Sequence, residues 1–205
     1  DGSSITQPPM YGHAVAELTR AGLPPPDEVV DAAVAGVAFL IDQRVRHRSG
    51  LLLVCHPWET GIDDSPRWDD CCPDGYDRDR WGAAKDRLVS TIKAGSDGSP
   101  IQNPAFPVAP VGFNALVAFN ARELAAVVGD DGLAAASDEL AGALGDRWSD
   151  EAGTWVDAGP TADGSGRART LDGLLPLLVE DDPRRATTVI DQLLDPTAHG
   201  GPAGP

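Results

Sequence analysis

His56-Pro57-Trp58-Glu59-Thr60-Gly61-Ile62-Asp63-Asp64-Ser65-Pro66-Arg67-Trp68-Asp69-Asp70 is the stretch on which the reading of this chain turns. It packs two indoles, several carboxylates, a glycine and an arginine into one short polar segment. Indole faces suit the apolar faces of sugar rings, and carboxylates are the usual acid and base for splitting glycosidic bonds. Gly61 lets the backbone approach a ligand closely. Arg67 is equipped to hold a carboxylate with its forked donors.

Other chemistries fit this stretch poorly. The aspartates lack the alternating ligands and glycine of a calcium-binding EF-hand. His56 and Ser65 stand without a G-x-S-x-G elbow, which argues against a serine-hydrolase triad. Cys55, Cys71 and Cys72 form no C-x-x-C pair, so a structural zinc site is not expected. Glu59 as a second catalytic carboxylate is disfavoured. It lies within ~13 Å of Asp63 along an extended chain, so both would approach a sugar from the same side.

Working outward, the flanks read as helices. Pro8-Pro9 suits a first helical turn, with a helix over about 9–20 stopped by Gly22 and Pro24-Pro25-Pro26. Asp27 opens a second, apolar helix that runs to Arg46-His47-Arg48 and stops at Gly50. Leu51–Cys55 is a short apolar run leading into the polar loop; a buried extended segment fits it, but periodicity alone does not decide between helix and strand over so short a run. Further helices are expected over about 77–93, 111–128, 131–148, 171–180 and 183–194. Asp182-Pro183 makes a standard start. Gly95–Pro110 and Gly159–Arg167 read as loops. Helix, connection, helix recurs without a convincing sheet, which indicates an all-α chain of helical hairpins. Trp81, Trp148 and Trp155 are expected as core anchors, and Asn114 either lines a site or ties down a helix start.

Composition bounds the function. The 205 residues carry a formal charge of −16, which repels phosphate and disfavours nucleic acid or an anionic membrane as partner. No run of about 18 apolar residues suggests a membrane span. The cysteines fit a reducing, cytoplasmic setting.

The motif His56–Trp68 resembles the signature of glycoside hydrolases built on a barrel of six helical hairpins. The likeness is nearest to the mannosylglycerate and glucosylglycerate hydrolases. Processing α-glucosidase I, with S-G-L-D-D-Y-P-R, and trehalase, with S-G-W-D-x-S-S-R-W, are more distant. Ser4-Ile5-Thr6-Gln7-Pro8-Pro9 is similar to the family's I-T-Q-P-P segment. Gly112-Phe113-Asn114-Ala115-Leu116 and Arg169–Leu177 are similar to later segments.

The resemblance implies an all-α fold, a partial (α/α)6 barrel with long active-site loops. Residues 1–205 would be the central part of one catalytic domain, incomplete at both ends. It implies Asp63 as general acid, and Gln7, Trp58 and Gly61 as substrate-binding positions. It implies Arg67 as the residue orienting the loop or the sugar. It also implies an inverting reaction on a small carbohydrate substrate with no metal or organic cofactor. An inverting glycosidase needs a second carboxylate about 6.5–9.5 Å from the first. In the family this is a glutamate after a tryptophan-rich segment, expected beyond Pro205. The alternative is a non-catalytic carbohydrate-binding or scaffold protein on the same helices.

Overall fold

A computed structural model describes residues 5–71, 76–159, 170–195 and 197. Its α-helices are α1 (Tyr11–Arg20), α2 (Asp27–Gln43), α3 (Arg78–Ser90), α4 (Val111–Val128), α5 (Asp131–Gly145) and α6 (Pro183–Leu194). Among the described residues there are also 3-10 segments at Pro57–Thr60, Pro66–Cys71 and Leu171–Leu178. The architecture is all-α, as expected. Two minimal antiparallel hairpins join it: Lys93–Ala94 with Pro100–Gln102, and Trp148–Ser149 with Thr154–Trp155.

Local chemistry sets most helix ends. Asp77, Asp130 and Asp182 each accept a backbone N–H of the helix they precede, from Arg80, from Gly132 and Leu133, and from Arg184. Such caps satisfy donors that have no partner within the helix. Gly129 closes α4 in the left-handed region, where a side chain would be strained.

Helix α4 is the centre. Its first turns are buried on every side, from Val111 to Ala118. It packs on α5, α1, α2 and the 3-10 segment Leu171–Leu178. By length and composition α4 would cross a membrane, but two thirds of it is buried inside the protein. Being surrounded by helices explains its apolar character. The main core gathers Leu40, Leu51–Val54, Trp68, Trp81, Phe106, Leu140, Leu144 and Trp155 around it. A second cluster joins α1, α2, α4 and α5 through Val15, Val37, Leu124 and Leu133. α1 crosses α4 closely: a Cβ at Gly12 would lie 2.7 Å from the Asn120 carbonyl oxygen.

Several expected boundaries move. α2 stops at Gln43, and Arg44 is extended. The basic run after it is one arm of a tight return rather than a helical last turn. His47 N–H donates to Leu51 O, Leu53 N–H donates to Val45 O, and Gly50 turns at φ 86°. The helix expected to reach Trp148 stops at Gly145 because Trp148 pairs with Trp155. The segment expected as helix 171–180 winds as 3-10, with Pro176 inside it. Trp81 and Trp155 are buried core anchors, whereas Trp148 is half-buried. Most of the expected 159–167 loop, Ser4, Arg169 and Cys72 lie outside the described residues.

Candidate active site

The extended segment Leu51–Cys55 delivers the chain to the motif. It is buried throughout, and Val54 N–H donates to Val108 O. Asn114 of α4 grips it, accepting from Leu52 N–H at 2.7 Å and donating to Leu52 O at 3.0 Å. Asn114 therefore ties down backbone, and also bonds Pro110 O at its own helix start.

His56 then begins a one-turn 3-10 helix. Its Nδ1 accepts the Trp58 N–H at 3.2 Å and its Nε2 meets the Lys85 carbonyl at 2.9 Å. That pattern is the neutral tautomer with the proton on Nε2. Burial depresses its pKa, partly opposed by the Lys85 carbonyl and by Glu59 and Asp63. The half-buried Trp58 ring lies against the His56 ring, centroids 4.3 Å apart. Gly61 ends the turn at φ 73°, and a Cβ there would lie 3.2 Å from Pro8 Cγ. The left-handed turn calls for glycine here, and Pro8 of the 5–9 segment packs closely over it.

Asp63 follows, half-buried. α3 braces its backbone: Trp81 Nε1–H donates to Asp63 O at 2.9 Å. Lys85, one turn along, pairs with the exposed Asp64 at 2.7 Å. Asp64 is therefore a charge partner of α3. Its pKa falls through that hydrogen bond. Trp68 is 1% exposed, donates to Ile62 O at 2.8 Å and meets Phe106 edge-on. It packs the return of the loop.

Two buried arginines hold the loop. Arg44 Nη1 donates to Glu59 Oε2 at 2.7 Å, and its Nη2 meets Glu59 Oε1 and the Thr6 hydroxyl. Thr6, through backbone and hydroxyl, and the Cys55 N–H also donate to Glu59. Burial works against the Arg44 charge, but the hydrogen bonds and field of Glu59 outweigh it and its pKa is raised. The Cys55 thiol, pushed up to about 12 chiefly by burial, stays protonated at neutral pH. With both oxygens so engaged and no exposure, Glu59 has no room to act as a base.

Arg67 meets Asp157 and Asp172 together. It is 4% exposed, and these two carboxylates hold its guanidinium against the loop. Burial pulls its pKa down to about 9. It remains a cation at neutral pH between two carboxylates. Asp157 also accepts the Val111 N–H at 2.8 Å, linking this clamp to the start of α4.

The structure thus brings Gln7, Trp58, Gly61 and Asp63 into one neighbourhood through Thr6–Glu59 and Pro8–Gly61. Gln7 is exposed beside that junction. It does not cap a helix, since α1 begins at Tyr11 without a side-chain cap. Asn120 of α4 anchors the same segment, donating to Pro9 O at 2.7 Å.

Outside the loop, His13, Glu17 and Glu123 are grouped tightly enough for a metal ion. Arg20 already pairs with both glutamates and supplies the positive charge there. An apolar cleft of about 420 Å³ lies between α1 and α2, lined by Tyr11, Leu18, Val29 and Gly36 among others. No motif residue lines it. The side chains of Asp69 and Asp70, considered above as calcium ligands, lie outside the described part.

This arrangement has known counterparts. A family model for the mannosylglycerate hydrolase MGH1-like glycoside hydrolase domain matches residues 1–205. The chain belongs to this family. Curated mannosylglycerate hydrolases from Thermus thermophilus and Rubrobacter radiotolerans are 36% identical over 74 residues and 33% identical over 73 residues. Each match covers 33% of this chain, and 18% and 16% of the respective relatives. A crystal structure of GH63 mannosylglycerate hydrolase from Thermus thermophilus in complex with glucose aligns with TM-score 0.69 at 25% identity. It covers 94% of this chain, which spans 52% of that one. The complex of that hydrolase with Tris shares the fold at TM-score 0.72 and 23% identity, over 93% of this chain and 54% of the other. The helices described here are therefore a partial all-α barrel of the glycoside hydrolase type.

Proposed function

We propose that this chain forms the central part of the catalytic domain of an inverting α-glycoside hydrolase. Its substrate is a small glycoside such as mannosylglycerate or glucosylglycerate. Asp63 is the general acid that protonates the leaving oxygen. Gln7 and Trp58 bind the sugar, and Gly61 and Arg67 shape the loop. The observation that carries the reading is the convergence of two family segments: Gln7 sits beside the Asp63 loop because Thr6 is bonded to Glu59 and Pro8 packs on Gly61. Trp58 is half-buried, with ring surface left to meet a ligand. Glu59 is enclosed, so the general base comes from elsewhere, as a glutamate outside this chain.

The test is Asp63→Asn in the full-length protein, assayed on mannosylglycerate and glucosylglycerate. Loss of general acid catalysis lowers turnover by about 10²–10⁴-fold, with substrate binding nearly unchanged. The anomeric form of the first sugar released, read by proton NMR, decides inversion. Turnover by the variant close to wild type would remove Asp63 from the mechanism.

A further inference from the structure

Glu59 lies four residues before Asp63, yet no atom of its carboxylate faces solvent. One oxygen receives Thr6 through both backbone and hydroxyl, and the other receives the Cys55 N–H. Arg44 reaches both oxygens and also donates to the Thr6 hydroxyl at 3.0 Å. The Thr6 hydroxyl works in both directions: it donates to Glu59 and accepts from Arg44. A sealed ion pair with every carboxylate hydrogen bond made is expensive to disturb and holds its partners in one geometry. Loop closure alone would have been cheaper with an apolar contact. What this network adds is direction: it fixes the irregular segment ahead of α1 against a loop 53 positions later in the chain.

We infer that Glu59 and Thr6 are positioning residues that set Gln7 against Asp63, so that sugar recognition by Gln7 depends on the Thr6 hydroxyl. This rests on the proposed glycosidase reading for its kinetic consequence, but not for its structural one. The Pro8–Gly61 contact gives the second fixed point on the same segment. Gln7, between the two, is left exposed with its backbone held on both sides.

The experiment compares Thr6→Val and Thr6→Ser in the full-length protein. Valine keeps the shape and loses the hydroxyl; serine keeps the hydroxyl and loses the methyl. The expected result for Thr6→Val is a roughly tenfold rise in KM with kcat within about threefold, the size of one lost charged hydrogen bond. Thr6→Ser stays within about threefold of wild type. Combined with Gln7→Ala, Thr6→Val adds nothing further, because the two act through one contact. Amide exchange at Thr6 and Gln7 quickens in Thr6→Val, while Cys55 remains protected by Glu59. The reverse ranking of valine and serine, strict additivity with Gln7→Ala, or unchanged exchange each overturns the inference. A wild-type protein that hydrolyses neither glycoside would overturn the glycosidase reading instead, with the exchange data still judging the Thr6–Glu59 tie. Glu59→Gln serves as a second variant, expected to quicken exchange at both Thr6 and Cys55.

Discussion

The loop that carries Asp63 is held at each end by a buried arginine, and the two holds are built oppositely. Before Asp63, the carboxylate is the hub: Glu59 collects Arg44, Thr6 and Cys55. After it, the arginine is the hub: Arg67 sits between Asp157 and Asp172. The first hold gathers pieces that lie around the candidate site. The second anchors the loop to the start of α4 and to the 3-10 segment Leu171–Leu178. A hub built on a carboxylate can keep several neutral donors when its cation is lost. A hub built on an arginine takes the cation from every carboxylate it held, leaving Asp157 only the Val111 N–H. One end of the loop is thus tuned by its neighbours, while the other stands or falls with one side chain.

That asymmetry is open to test, beginning with the largest effect. Arg67→Met leaves the buried Asp157 and the half-buried Asp172 without their shared cation, and breaking a buried pair costs about 3–5 kcal/mol. We expect this variant at or above the top of that range in urea unfolding. Arg44→Met leaves Glu59 with the Thr6 and Cys55 donors, so its loss falls near the bottom. Equal losses would break the comparison.

The two indoles sharpen it. Trp68→Ala should lower stability by about 3–5 kcal/mol, as for a buried Trp, because its ring is enclosed against Phe106. Trp58→Ala should retain most of the stability and appear chiefly as weaker sugar binding and slower turnover. Melting curves and steady-state kinetics on both variants separate these outcomes. The opposite pattern would mean the loop presents Trp68, not Trp58, to the ligand.

The smallest effect is one of pH. Burial holds the folded pKa of His56 below its ordinary 6.5, against the pull of Glu59 and Asp63. The unfolded chain then binds the proton more readily. This contribution to stability is full above about pH 6.5 and is lost as pH falls through the folded value. Protonation of Nδ1 also removes the acceptor for the Trp58 N–H. In His56→Gln the decline beginning below pH 6.5 should be shallower, as measured by denaturant midpoints across about pH 5–8. An unchanged slope would mean that acid enters elsewhere.

How much of this was legible in the sequence follows from how local each cause is. The caps at Asp77, Asp130 and Asp182 act within three residues, so those helix starts can be read directly. The stop of α2 cannot, because Arg44 leaves the helix for Glu59, a partner fifteen positions on and sealed from solvent. Basic residues 46–48 read as a last helical turn and are instead a strand-like return onto 51–53. The motif itself is visible, and so is the likeness of the 5–9 segment. Its tie to Glu59 is not, since a side chain that stabilises a contact 53 residues away leaves no periodic trace. Arg67 reads equally as a sugar ligand or a loop clamp because a guanidinium suits either task. Its two partners, Asp157 and Asp172, lie 90 and 105 positions away and leave no local trace.

The two asparagines of α4 carry a consequence for length. Asn114 holds the segment that feeds the Asp63 loop, and Asn120 holds the segment that bears Gln7, bonding Pro9 O and the His13 N–H. Six helical positions separate them, so α4 spaces its two grips by ~9 Å along its axis. One residue inserted between them would slide the second grip by ~1.5 Å and swing it by ~100°. Substitution there can be absorbed by repacking, but a change in residue count cannot. A scan of single-residue insertions and deletions should find none tolerated from Asn114 to Asn120, and tolerance only beyond the last buried residues of α4, Leu124 and Ala125, toward Gly129. Relatives of this chain would then vary freely in their loops while keeping this interval constant, as a ruler keeps its marks.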